Sequence, residues 1–195
     1  MFSREYTNTD RPDAGNDSRS EGWSRRLERA CQERNHREMA RLLLDGADTA
    51  MAEADDDESL EWAQWLLTRT QCSLDACGTH PECLTLLCEL MERQCWLSQC
   101  WERLGHPGQC HTARERVRDL AFDVSSRAAR TEDLGLRVSV VLRAAEVLDT
   151  LGDLSDAHAL RARAFYKLGA ASLRETSSRL TEAASSPCCA ARSYQ

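Results

Sequence analysis

Four thiol and imidazole side chains stand close together in the chain, at Cys72, Cys77, His80 and Cys83. Zinc prefers thiolate and imidazole ligands in tetrahedral sets, and a loop that runs into a helix can present four of them. The flanking residues predict a turn around the first two and the start of a long helix around the last two. The C-x4-C-x2-H-x2-C spacing therefore predicts a zinc site. The alternative of plain thiols stays open, because the spacing lacks the paired C-x2-C of common zinc modules.

The chain contains 10 cysteines but no apolar export signal in its first residues, MFSREYTNTDRPDAGNDSRS. In a reducing compartment such cysteines are buried thiols or metal ligands rather than disulfides. We therefore expect the protein in the cytoplasm, the nucleus or both. Cys188 and Cys189 differ from the others because they follow the polar segment SSP near the C-terminus. Acylation of this pair would be enough to attach the tail to a membrane surface, and an unmodified tail is the alternative.

The common sequence signatures of catalysis are missing. The chain has no glycine-rich phosphate loop, no G-x-S-x-G and no H-E-x-x-H. Cys110 and His111 are adjacent, and adjacent residues of a helix point in different directions, so they do not form a catalytic dyad. We therefore expect a protein that is not an enzyme and that uses no cofactor other than the zinc considered above.

Arginine supplies nearly all of the positive charge, since Lys167 is the one lysine among 25 basic residues. GC-rich coding and escape from lysine-directed ubiquitination both explain this bias, and both stay open. The net charge is -7, and acidic residues interrupt the basic positions. Glu115 and Asp119, for example, interrupt the face that Arg114 and Arg118 share. Such a pattern is typical of salt-bridged, solvated helix faces and argues against a nucleic-acid partner.

Apolar residues recur at helical spacings over residues 21–176, and no segment alternates in the manner of a strand. This pattern predicts an all-α domain of about six antiparallel helices, arranged as a bundle or as a short helical-repeat array. The segment from Cys83 to Leu104 is apolar on nearly every side, which predicts a central helix packed on several faces. Gly46 stands where the first long helix, beginning near residue 22, is expected to end.

The two ends of the chain have a different composition from this domain. Residues 1–20 are polar and lack periodicity, so they are predicted to be a disordered leader, and residues 177–195 are predicted to be a flexible tail. No apolar run approaches the length that a transmembrane helix needs, so any membrane contact is expected to be peripheral.

The segment AAEVLDTLGDLSDAHALRARAFYKLG has a glycine turn between two runs of small and large apolar residues. Gly152 and Asp153 match the turn of the tetratricopeptide family, and Ala157 and Ala164 match small positions of the second helix. The segment therefore resembles one unit of that family, a helix–turn–helix of about 34 residues. The resemblance implies an antiparallel helix pair that approaches closely through its small residues. A second segment, CWERLGHPGQCHTA, also resembles the turn of this unit. Its Gly105 precedes Gly152 by 47 residues.

Four tryptophans fall within two of the predicted helices, at Trp62, Trp65, Trp96 and Trp101. Tryptophan is enriched among the residues that dominate binding energy at interfaces, and core burial is the alternative for each. These observations predict a non-enzymatic adaptor that binds a partner protein through a groove between helices. The alternative function is a zinc-stabilised regulatory protein that uses the cluster from Cys72 to Cys83.

Overall fold

A computed structural model of the protein describes residues 17–54, 56–77 and 80–185. These residues form seven helices and no strand, so the all-α prediction is confirmed, although the predicted number of about six helices is wrong. The helices are α1 (Asp17–Gln32), α2 (His36–Ala52), α3 (Asp57–Cys77), α4 (Pro81–Arg103), α5 (Pro107–Ala128), α6 (Leu134–Thr150) and α7 (Leu154–Ser185).

The additional helix arises because the first long helix expected from the sequence is divided in two. Arg34 adopts a left-handed conformation with φ of 51°, which ends the helical path after α1. Asn35 then caps α2, since its side chain accepts a hydrogen bond of 3.2 Å from the backbone N–H of Glu38. Asparagine is a favoured N-cap residue because its short side chain reaches an otherwise unpaired N–H group.

Gly46 lies inside α2, so the prediction that it ends a helix is wrong. The indole of Trp23 in α1 lies directly over this glycine, and a Cβ atom at position 46 would approach a Trp23 ring carbon to 3.0 Å. The Trp23 indole N–H also donates a 2.7 Å hydrogen bond to the Leu42 carbonyl. The glycine is therefore the place where α1 approaches α2 closely, rather than a helix stop.

The remaining six helices form three hairpins, α2–α3, α4–α5 and α6–α7, whose short connections make the two helices of each pair antiparallel. The first helices of the hairpins pack on one another, α2 against α4 and α4 against α6. As a result α4 contacts α2, α3, α5 and α6, in agreement with its predicted central position. Its residues Leu84, Leu87 and Leu97 are completely buried.

The second and third hairpins turn in the same way. Gly105 and Gly152, 47 positions apart, have positive φ values of 79° and 83°, a conformation that glycine adopts without steric cost. In both turns the backbone N–H that follows the glycine donates a 2.9 Å hydrogen bond to the carbonyl five residues earlier. This is the pattern of a Schellman helix end. Membership of the tetratricopeptide family itself stays a prediction.

The same 47-residue shift relates an ion pair that ties the two helices of each of these hairpins. Arg114 of α5 pairs with Glu102 of α4 at 2.8 Å, and Arg161 of α7 pairs with Asp149 of α6. The contact with Arg161 holds the pKa of the Asp149 carboxyl below its ordinary value. The two hairpins are therefore copies of one another in their turns and in the charges beside them.

A second set of arginines joins neighbouring hairpins. The Arg93 guanidinium of α4 donates two 2.8 Å hydrogen bonds to the Asp48 carboxylate of α2. Arg143 of α6 donates two hydrogen bonds to Glu92 of α4 in the same manner. Planar arginine suits such two-point contacts with carboxylates better than lysine does. Arg93 thus contacts the first hairpin, α2–α3, and its neighbour Glu92 contacts the third hairpin, α6–α7.

Candidate partner-binding site

The predicted zinc ligands begin on α3, which continues to Cys77 through the stretch predicted to be a turn. Cys72 lies on the exposed surface of this helix, and Cys77 is its partly buried last residue. His80 precedes α4 and caps it, because its Nδ1 atom accepts a 3.3 Å hydrogen bond from the Glu82 N–H. Cys83 is buried beneath the first turn of α4.

These positions bring Cys77 and Cys83 together but do not form a set of ligands. Burial raises the pKa of the Cys83 thiol to about 12, and the neighbouring Cys77 thiol contributes to the rise. A zinc ligand must be a thiolate, so metal binding at Cys83 would have to displace this proton. In the described ranges, no three histidine, cysteine, aspartate or glutamate side chains converge in a way that could hold a metal ion.

The burial of the thiols predicts a clear order of alkylation by iodoacetamide at mildly alkaline pH. We expect the exposed Cys31 and Cys72 to react quickly, and Cys83 and Cys88 to react very slowly in the folded protein. Burial raises the pKa of Cys88 also to about 12 from an ordinary 9.0, which lowers its thiolate fraction roughly a thousandfold. Mass spectrometry of the labelled peptides gives the rates, with the urea-unfolded chain as control. Equal rates for Cys72 and Cys83 would contradict the packing, and joint protection of the predicted cluster by added zinc would support the zinc hypothesis.

The four predicted partner-binding tryptophans do not form one surface. Trp101 is buried in α4, where its ring meets His106 edge to face at 5.5 Å, and Trp96 is partly buried against the core. Trp62 and Trp65 of α3 stack in parallel with ring centroids 4.8 Å apart. Trp23, which the sequence analysis did not select, packs on α2 instead. In the sequence, that contact could have been inferred from a tryptophan, Trp23, and a glycine, Gly46, on neighbouring helices.

Both faces of the Trp65 ring are already occupied. Trp62 covers one face of Trp65, and the Arg69 guanidinium lies 5.2 Å from the Trp65 ring centroid. These residues are three and four positions apart, so they are neighbours on one side of a helix. Trp65 therefore offers a partner mainly its ring edges.

The arginines of α5 connect helices rather than forming solvated rows along one helix. Arg118 pairs with Asp153, at the end of the α6–α7 turn, through hydrogen bonds of 2.8 and 3.0 Å. Arg127 bonds the Asp75 carboxylate and, at 3.1 Å, the Leu74 carbonyl of α3. The predicted salt-bridged pattern is therefore present, but its ion pairs fix α5 against the neighbouring helices.

A groove of about 290 Å3 lies between α5 and α7. We call it the α5/α7 groove. Its floor is apolar and combines one residue from each of three helices, whereas charged side chains stand at its edges. The floor residues are Ala121, Leu148 and Leu160, and the edge residues are Arg118, Phe122, Asp156, Ala159 and Arg163.

Phe122 is the residue of this groove that the sequence analysis missed. Its side chain is 59% exposed, although Ala121 beside it is buried. The available signal was a phenylalanine on the polar side of an otherwise regular amphipathic helix, because a large exposed apolar residue there has no packing role. Arg163, across the groove, donates a 3.3 Å hydrogen bond to the Ser125 hydroxyl and so sets the spacing of the two helices.

Cys188 and Cys189, the predicted acylation pair, lie outside the described residues. No helix in the described ranges has both the length and the hydropathy needed to cross a bilayer. No protein-family model, curated protein or solved structure matches the chain.

Proposed function

We propose that the protein is a non-enzymatic adaptor and that it binds a helix of a partner protein in the α5/α7 groove. The observation that carries this proposal is the groove itself, with its apolar floor and the exposed Phe122 at its edge. An amphipathic helix binds such a groove by placing its apolar side chains on the floor. The zinc-stabilised alternative lacks a comparable arrangement of ligands within the described part of the chain.

The groove has the properties of a preformed binding site. The bidentate Arg118–Asp153 contact joins α5 to the start of α7 and so supports the two walls of the groove. A partner therefore does not need to open the groove, which reduces the ordering cost of binding. Covering the exposed Phe122 ring would contribute roughly 1.5–3 kcal/mol if it became fully buried.

The charges at the edges indicate what the partner presents. The Asp153 carboxylate already pairs with Arg118, whereas the described contact of Arg163 is the uncharged Ser125 hydroxyl. An acidic side chain next to an apolar anchor would therefore gain a charge-assisted hydrogen bond from Arg163. The proposed partner helix accordingly has an apolar face with an aspartate or glutamate at its border.

A photo-crosslinking amino acid placed in the groove tests this function directly. At Ala159, on the groove edge, we expect the probe to capture a partner protein in cells, and at the exposed Ala129, outside the groove, we expect no such product. The additional change Phe122→Arg should lower capture from position 159 at least about tenfold, because it removes the apolar anchor. Mass spectrometry identifies the product. The proposal fails if both positions capture the same proteins, or if Phe122→Arg leaves the yield unchanged.

A further inference from the structure

The wall that α7 contributes to the α5/α7 groove continues along the helix beyond the groove itself. Leu160 and Arg163 line the groove on this side. Successive helix residues are about 100° apart, so Lys167 and Arg174 lie within about 40° of both lining residues around the helix axis. The side chains of Lys167 and Arg174 are exposed. We call Arg163, Lys167 and Arg174 the α7 basic row.

The α7 basic row runs past the end of α5. Arg118 of α5 contacts Asp153, and Ser125 of α5 contacts Arg163, so α5 and α7 run in the same direction. α5 ends three residues after Ser125, whereas α7 continues for more than twenty residues after Arg163. Lys167 is therefore about level with the end of α5. A ligand that lies in the groove and extends beyond α5 passes along the row.

The two ends of the groove differ in charge. Two carboxylates, those of Asp153 and Asp156, lie near the α6–α7 turn. From residue 157 to residue 174 the chain has no aspartate or glutamate, although its net charge is -7. Arg130 and Glu132, in the connection after α5, are both exposed and offset one another in formal charge. The end of the groove at the α7 basic row is therefore positive, and it complements an acidic ligand.

The outer two cations of the row are not used to join helices. Among the side chains that the structure describes, no carboxylate lies within ion-pair distance of Lys167 or Arg174. By contrast, Arg93, Arg143 and Arg161 each pair with a carboxylate of another helix. Lys167 and Arg174 can therefore bind the carboxylates of a partner without breaking a described ion pair of the fold.

We propose that the α7 basic row binds an acidic segment that adjoins the apolar helix of the partner. This inference rests on the proposed use of the α5/α7 groove and adds the chemistry of its ligand. Lys167 and Arg174 stand seven and fourteen residues after Leu160 of the groove floor. A partner helix aligned with α7 has the same rise of about 1.5 Å per residue. It is therefore expected to carry aspartate or glutamate about seven and fourteen positions from the side chain over Leu160, where charge-assisted hydrogen bonds can form.

Selection from a phage-displayed library of random peptides, long enough to span the groove and the row, tests the inference on the full-length chain. We expect peptides that the parent enriches and Phe122→Arg does not to combine apolar residues at helical spacing with acidic residues at those positions. The variant Lys167→Glu, Arg174→Glu should enrich lysine or arginine there instead, because the complementarity is reversed.

The outcomes of this selection separate the inference from the proposed function. Peptides that depend on Phe122 but lack acidic residues at those positions would overturn the inference and leave the groove as the binding site. An unchanged acidic preference on Lys167→Glu, Arg174→Glu would overturn it as well. If no enriched peptide depends on Phe122, the proposed function fails, and the inference fails with it.

Fluorescence anisotropy of the most enriched acidic peptide measures the contribution of the row. Its affinity should fall at least about tenfold in Lys167→Glu, Arg174→Glu at low salt, and the difference should shrink as salt screens the charges. Arg29→Glu, Arg34→Glu makes the same change in net charge at exposed residues outside the groove, and we expect it to keep the affinity of the parent. Circular dichroism confirms that each variant keeps its helical content. Equal losses in the two double variants would contradict the inference, because they would show an effect of net charge rather than of the row.

Discussion

Replacing Leu87 by alanine is expected to lower the free energy of unfolding by about 2–5 kcal/mol. Leu87 is completely buried in α4, the helix that contacts α2, α3, α5 and α6. Removing its isobutyl group leaves a cavity that four surrounding helices cannot all close, because each is fixed by its other contacts. No other helix of the described chain packs against so many neighbours.

Urea unfolding followed by circular dichroism measures this effect. Leu104→Ala is the matched control, since Leu104 follows α4 directly and is 37% exposed. We expect the control to change stability by no more than about 0.5 kcal/mol. Similar losses for the two variants would mean that α4 is not the centre of the fold.

Replacing Ala164 by leucine is expected to cost about 1–3 kcal/mol through overpacking. Ala164 lies on the side of α7 that is packed against α6, where it is 4% exposed, together with the fully buried Ala157. Small residues at these positions allow the two helices to approach closely, and a leucine would push them apart. The corresponding residue of the second hairpin is Val117, so the third hairpin leaves less room at this point.

Ala162→Leu is the control for this prediction. It introduces the same side chain two residues earlier, on the exposed side of α7. We expect its thermal midpoint to stay close to that of the parent, and the midpoint of Ala164→Leu to fall. Unchanged midpoints in both variants would contradict the packing of α6 against α7, and the tetratricopeptide-like prediction would lose its structural basis.

The class of the fold and the central position of α4 could be predicted from the sequence because they depend on apolar periodicity. The turns at Gly105 and Gly152 could also be predicted, since both need a residue that tolerates positive φ. The break between α1 and α2 could not, because Arg34 carries no compositional sign of its left-handed backbone. The prediction that Gly46 ends a helix was wrong for a related reason. A glycine allows either a turn or a close contact between helices, and only the position of Trp23 shows which of the two applies.

The candidate site was harder to predict than the fold. The zinc hypothesis placed Cys72 and Cys77 in a turn, and the continuation of α3 to Cys77 places them on a helix instead. A groove lies between α5 and α7, and its residues come from three successive helices, α5, α6 and α7. Periodicity gives the buried side of each helix and does not give the spacing between two helices, so it marks Phe122 as lying off the buried side of α5 without placing it at a groove.

The adjacent residues Glu92 and Arg93 give the row of hairpins a direction and also an end. Each internal junction joins an acidic residue of the earlier hairpin to an arginine of the later one, Asp48 to Arg93 and Glu92 to Arg143. By the same 47-residue shift Glu92 corresponds to Ser139, so the third hairpin has no carboxylate at that position for an incoming arginine. At the opposite end α1 covers α2. Head-to-tail stacking of two copies through this carboxylate–arginine contact is therefore expected to be disfavoured.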